Sequence, residues 1–143
     1  MTTSLSTRTA TRTTLAARIN NALALGGAAF ITYIGVRYLA APAAEAPGFG
    51  MPVAPTGAAA DFLNVKGVRD LASALLIVTL LATRQRRALG TAMLVTATIP
   101  VGDMLTILRH GGSTAMAFGV HGLTAALVAT TGVLFLRERR TAE

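Results

Sequence analysis

Four apolar stretches, each about 20 residues and so long enough to cross a bilayer as a helix, fill most of this 143-residue chain. They read as residues 21–41, 62–82, 88–108 and 115–136. That pattern fixes the expected fold class as all-α, an integral membrane four-helix transmembrane bundle. Inside hydrocarbon every backbone polar group must be satisfied internally, and runs of this length do so as helices. Composition agrees: 52% of residues are hydrophobic and only 13% charged, where a soluble domain carries about 25%. One domain is expected over residues 21–137, after a mobile basic tail at 1–20 and before a short C-terminal tail at 138–143.

The connections carry the turn and charge signals. Residues 42–61 hold four of the five prolines and are long enough to act as a lid rather than a simple turn. Asp61 is placed to cap the second helix. Arg84-Gln85-Arg86-Arg87 makes a tight basic turn. Pro100 should kink the third helix and free the carbonyl one turn earlier. His110-Gly111-Gly112-Ser113 turns the chain again, with Ser113 or Thr114 as the next cap. The start, with arginines ahead of an apolar run and Ala-Pro-Ala near 41–43, has the outline of a signal peptide. Its apolar run is too long for one and contains Tyr33 and Arg37. No internal repeat is evident.

Threading four crossings in order puts Arg8, Arg12, Arg18, Arg84, Arg86, Arg87, Arg137, Arg139 and Arg140 on one side. The positive-inside rule then predicts a multi-pass protein of the cell membrane with both termini cytoplasmic. The formal charge of +7 is thereby explained by topology, and nucleic acid is not an expected partner. The absence of cysteine excludes disulfides, thiolate nucleophiles and Cys-type metal or iron–sulfur sites.

Function is expected where the chain breaks the membrane rule. Lys66, Arg69, Asp70, Asp103 and His121 sit inside the apolar runs, and a charge in hydrocarbon costs several kcal/mol unless it faces protein or water. At about 1.5 Å rise per residue, Asp103 and His121 lie roughly 8 to 9 Å from the external ends of their helices, and Asp70 falls in the same layer. Lys66, Asp70 and Ser73 share a helix face, as do Thr96, Asp103, Thr106 and His110, and then Thr114, His121, Thr124 and Thr131. Tyr33 and Arg37 do so on the first helix. Asp70 and Asp103 are too short to snorkel, whereas Arg37, Arg109 and Lys66 can reach headgroups. Tyr38 reads as an ordinary interfacial tyrosine.

Two carboxylates in different surroundings can separate their pKa values and serve as acid and base. The expected catalytic set is Asp103 as protonated acid, His121 as its partner or the base, and Asp70 as an ionised orienter beside Lys66 or Arg69. Arg37 and Arg69 would hold an enolate, carboxylate or oxyanion, and Tyr33, Thr124, Lys66 and His110 complete the substrate-binding set. The four cations Arg37, Lys66, Arg69 and Arg109 outnumber Asp70 and Asp103 in this half, which favours a substrate with negative character. The reaction expected is a cofactor-independent isomerisation or cyclisation of a lipophilic small molecule. No catalytic or phosphate-binding signature is present, and no metal or other cofactor is expected. The alternative is a non-catalytic subunit that binds lipid or a small molecule or takes part in transport; as a transporter it would need to form a homo-oligomer. A third reading makes the same residues a structural network that fixes helix register.

The strings GVRY (35–38), FGMP (49–52), KGVRDL (66–71), RRALG (86–90), IPVGDM (99–104), HGG (110–112) and HGLTA (121–125) together resemble a family of small four-helix integral membrane proteins of bacteria and fungi, grouped as a domain of unknown function. The resemblance covers about residues 30–137. It implies a membrane location and a compact four-helix unit and carries no activity. The layout is also loosely similar to the DoxX-like small membrane proteins, a likeness of architecture alone.

Overall fold

The computed structural model describes residues 3–138, with side chains from Leu15 onward. Among the described residues the fold is all-helical. Helix α1 spans Thr3–Ala40, and its apolar part, Leu15–Ala40, is long enough to cross a membrane. The helix begins at Thr3, within the stretch expected as a tail at 1–20, rather than near Asn21. Ser, Thr and Arg carry no apolar period, yet their helical cost is only a few tenths of a kcal/mol each, so a growing helix extends through them. The tail's side chains before Leu15 lie outside the described residues.

The connection at 42–61 is built from short turns rather than open coil. Pro42 starts α2 (Pro42–Glu45), a 3₁₀ turn follows at Ala46–Phe49, and a second at Gly57–Phe62 runs directly into α3 (Leu63–Ala82). Asp61 therefore does not cap α3. The residue at the cap is Phe62, which makes no side-chain bond, because the preceding 3₁₀ turn already supplies acceptors to the first N–H groups; the Leu63 N–H donates to the Ala60 carbonyl.

The third apolar run is α4 (Arg86–Thr96) and α5 (Thr98–Arg109), interrupted at Ala97 as the missing Pro100 N–H requires. The next ladder bond, Val101 N–H to Ala97 O, is stretched to 3.4 Å. At the far turn Gly111 takes φ +69°, and the Ser113 hydroxyl accepts from Met116 N at 3.2 Å, capping α6 (Thr114–Met116) as expected. A π-helical turn over Ala117–Gly122 then leads into α7 (Leu123–Arg137).

Helix α1 packs along α3 and α4 along α7, while α3 meets α4 and α1 meets α7. The core is small: Ala24, Ala28, Ala74, Ile77, Leu89, Met93 and Phe135. Three segments, Leu15–Ala40, Arg86–Arg109 and Thr114–Arg137, are long and apolar enough to span a membrane. Helix α3 has the length, but Lys66, Arg69 and Asp70 fall within it. Leu15, Leu75, Val95, Leu105, Leu123 and Leu127 are all exposed on the helices, as faces in contact with lipid would be.

One end is locked by a carboxylate. Arg86 donates Nε–H and Nη2–H to Glu138, the latter at 2.7 Å, and Asn20 Nδ2 donates to the same group at 2.6 Å. The guanidinium also lies 4.9 Å from the centre of the Phe135 ring. Glu138, expected in the C-terminal tail, is thus part of the fold, because it is the one carboxylate within reach of Arg86 among the described residues. Burial alone would raise its pKa, but the bonds from Arg86 and Asn20 and the Arg86 charge outweigh this and hold the carboxyl below its ordinary 4.5.

A depressed carboxylate contributes stability that is complete above its unfolded pKa and lost as pH falls through the folded one. Thermal unfolding of wild type and Glu138→Gln should therefore differ at neutral pH. The difference should shrink as pH drops below about 4.5. A gap that stays constant into acid would remove the clamp from the account.

Candidate functional site

At the other end the ionisable residues of the apolar runs form one connected chain. Lys66, in the first turn of α3, donates Nζ–H to Asp70 Oδ2 at 2.5 Å, one helical turn on. Its ammonium sits 4.5 Å from the centre of the Tyr38 ring, a cation–π contact from α1. Arg69 reaches across to α5 and holds Asp103 in a two-pronged bond, Nη1–Oδ1 3.1 Å and Nη2–Oδ2 2.9 Å. Its Nε lies 3.6 Å from Asp70 Oδ1, so Arg69 also bridges the two carboxylates. Asp103 Oδ2 is in turn 3.7 Å from Nδ1 of His121.

His121 stands on the π-helical turn, where the extra residue rotates its side chain away from the register that an α-helix would give. Its Nε2 lies 3.1 Å from the Phe49 carbonyl. A carbonyl only accepts, so Nε2 carries the hydrogen and Nδ1 is the nitrogen open to a proton. The Phe49 ring meets the imidazole edge-on, with centroids 5.1 Å apart. Asp70 and His121 are both buried.

The 42–61 connection closes over this chain. The Gly50 carbonyl accepts from Ser113 N at 2.9 Å. Gly50 takes φ +101°, and a Cβ there would lie 2.7 Å from the Met116 side chain; the position requires glycine twice over. Ala46 and Ala60 are buried beneath the turns.

Lys66, Arg69, Asp70, Asp103 and His121 are therefore brought together, and four expected members are not. Arg37 bonds Tyr33 Oη at 2.7 Å and pairs with Glu45, half-exposed. Tyr33 is exposed beside it, so this trio forms a separate surface cluster. His110 is exposed at the end of α5, and Thr124 is half-buried one turn beyond His121. The expected polar stripes also turn inward on themselves: Ser73, Thr96, Thr106 and Thr131 each donate to a carbonyl of their own helix.

Both Asp103 oxygens are engaged as acceptors, the pattern of a carboxylate held by a guanidinium fork. The cation excess falls to Arg109 alone, since Glu45 pairs with Arg37 while Asp70 and Asp103 absorb Lys66 and Arg69. Three contributors escaped the sequence reading: Tyr38, Glu45 and the Phe49 carbonyl. A Pro-initiated helical turn eight residues after Arg37 was the available signal for Glu45; nothing in the sequence marks Tyr38 against Lys66 or a backbone carbonyl against His121.

Comparison with curated proteins and with solved structures yields no match. A family model does match, over residues 28–135, a segment that holds Tyr38, Lys66, Arg69, Asp70, Asp103 and His121 together with the connection above them. The chain belongs to the family described as Domain of unknown function (DUF4267).

Proposed function

We propose that this chain is an integral membrane protein of four crossings whose loop-end half carries an acid–base site for a lipophilic small molecule. Helix α3 serves as the fourth crossing: its three charges are paired, which offsets much of their cost in hydrocarbon. The arginine distribution sets both termini in the cytoplasm, with the 42–61 connection outside. In this reading His121 Nδ1 takes and returns the substrate proton, and Asp103 stabilises the imidazolium that forms. Arg69 fixes Asp103, and the Lys66–Asp70 pair fixes Arg69. The chemistry is a cofactor-independent isomerisation or cyclisation. What carries the reading is the His121–Asp103–Arg69–Asp70–Lys66 chain, drawn from three helical segments and capped by Phe49.

Such a reaction exchanges substrate protons with solvent. Protein in nanodiscs, incubated in D₂O with a lipophilic extract of its source membrane, should put deuterium into an extract component, followed by mass spectrometry. His121→Gln should lose at least about 100-fold of that incorporation, the usual value of one general base, while unfolding at nearly the wild-type temperature. Undiminished exchange by His121→Gln would sink the role of His121. The charge balance of the chain favours one second reading, a non-catalytic binding subunit. There an extract component would co-purify with the protein and gain no deuterium.

A further inference from the structure

Thirteen lysines and arginines face six carboxylates in this chain, and the pairing among them is uneven between its ends. Arg37, Lys66, Arg69 and Arg86 are matched with Glu45, Asp70, Asp103 and Glu138. Arg18, Arg84, Arg87, Arg109 and Arg137 are exposed and have no carboxylate partner among the described residues. At the loop end Arg109 is balanced in number by the exposed Asp61. The other four all lie at the clamp end, where no further described carboxylate opposes them.

The clamp is what gathers them. Arg18 precedes Asn20 by two residues, Arg84 and Arg87 flank Arg86, and Arg137 precedes Glu138. Because Asn20 and Arg86 are both bonded to Glu138, three distant stretches of chain bring four exposed arginines to one end of the helices. Arg86, whose charge Glu138 already satisfies, acts as the hub. Immediately inward the surface turns apolar, with Ile19, Leu23 and Leu136 exposed. Cations above an apolar belt, at the end of helices long enough to cross a membrane, stand at the depth of lipid headgroups.

We propose that this arginine rim binds the phosphates of anionic phospholipids, so that the protein retains them from a mixed bilayer. Guanidinium groups suit the task, since their planar donors engage phosphate oxygens in pairs. The acyl chains of the same lipid would lie along Ile19, Leu23 and Leu136. A soluble phosphate would find the cations but leave that apolar belt unused, which is why the lipid is the favoured occupant.

The test reconstitutes the full chain in nanodiscs of phosphatidylcholine alone and of phosphatidylcholine mixed with phosphatidylglycerol. Retained lipids are then counted by native mass spectrometry. Phosphatidylglycerol should be enriched around the wild-type protein, and Arg84→Gln/Arg87→Gln should lower its relative affinity about 25-fold, since each arginine at the surface contributes roughly a five-fold factor. Neither substitution touches the clamp, and unfolding in phosphatidylcholine alone should be unchanged. Wild-type protein retaining the two lipids in their bulk ratio would overturn the proposal. So would undiminished enrichment in R18Q/R84Q/R87Q/R137Q, or displacement of the lipid by inorganic phosphate at equal concentration, which would make the rim a soluble-anion site.

Discussion

Arg69→Met is expected to destabilise the protein by about 3 kcal/mol, the scale for removing one member of a buried ion pair. The loss is large because it falls on two carboxylates at once. Asp103 forfeits both of its hydrogen bonds, and Asp70, only 3% exposed, is left with Lys66 alone. The guanidinium itself is about one-third open, which keeps the figure at the lower end of the range. Arg69→Met/Asp103→Leu should recover most of the loss, since apolar groups of similar volume replace a buried pair at little or no cost. Unfolding in detergent would measure both, and the coupling between the sites follows from the double-mutant cycle. The double variant also divides function from architecture. It keeps a side-chain contact between α3 and α5 at positions 69 and 103 while leaving His121 without its carboxylate, so it should fold and incorporate no deuterium. A double variant that remains as unstable as Arg69→Met would show that the pair fixes helix register, and a single variant within about 0.5 kcal/mol of wild type, the scale of an ordinary surface change, would show that the pair is not buried.

Membership of this network was legible because a charge within an apolar run is expensive and must be explained. Its wiring was not. Helical spacing gave Lys66 beside Asp70 as an i, i+4 pair, and that contact is present. Spacing carries no information about which neighbouring helix a long side chain will reach, so it did not join Arg69 to Asp103 or send Arg37 outward to Glu45. The π-helical turn was equally hidden. It depends on how α6 and α7 must be offset to bring His121 under Phe49, a tertiary demand with no residue signature. The Pro/Gly-rich composition of 42–61 read as a long loop, but it holds three short turns, the first two of them started and ended locally by Pro42, Pro47 and Gly50. The apolar runs themselves, by contrast, were plain, since length and hydropathy need no partner to be recognised.

The same limit hid a recurring element, and it leads to the largest effects expected from uncharged residues. Gly35 and Gly67 approach so closely that a Cβ on either would lie 2.9 or 2.8 Å from the other's carbonyl oxygen. Gly90 and Gly132 repeat the arrangement at 2.8 and 2.9 Å. In each case the leucine four residues on, at positions 39, 71, 94 and 136, packs against the facing glycine. Two helix pairs, α1–α3 and α4–α7, are thus joined by one Gly-x-x-x-Leu device, although no repeat is evident when the chain is read linearly. Small residues at such crossings let backbones touch, which matters where lipid supplies no hydrophobic drive between helices. Gly67→Ala and Gly90→Ala should each cost about 1 to 3 kcal/mol, even though alanine gains up to about 1 kcal/mol in helix propensity, because the obstructing atom is backbone and both helices must move apart. Gly35→Ala combined with Gly67→Ala should cost less than the sum, since one separation accommodates both methyls. Gly102→Ala, with nothing within 4 Å of its added methyl, should instead be neutral or stabilising. The two crossings differ in consequence. Gly35 also faces Asp70, whose Cβ would lie 3.3 Å from the new methyl, so parting α1 from α3 displaces the centre of the network. Gly90 and Gly132 cross beside the Arg86–Glu138 clamp, far along the helices from His121. Gly67→Ala should therefore lower both stability and deuterium incorporation, and Gly90→Ala stability alone. Equal loss of incorporation in the two variants would mean that the site responds to global stability rather than to the position of Asp70.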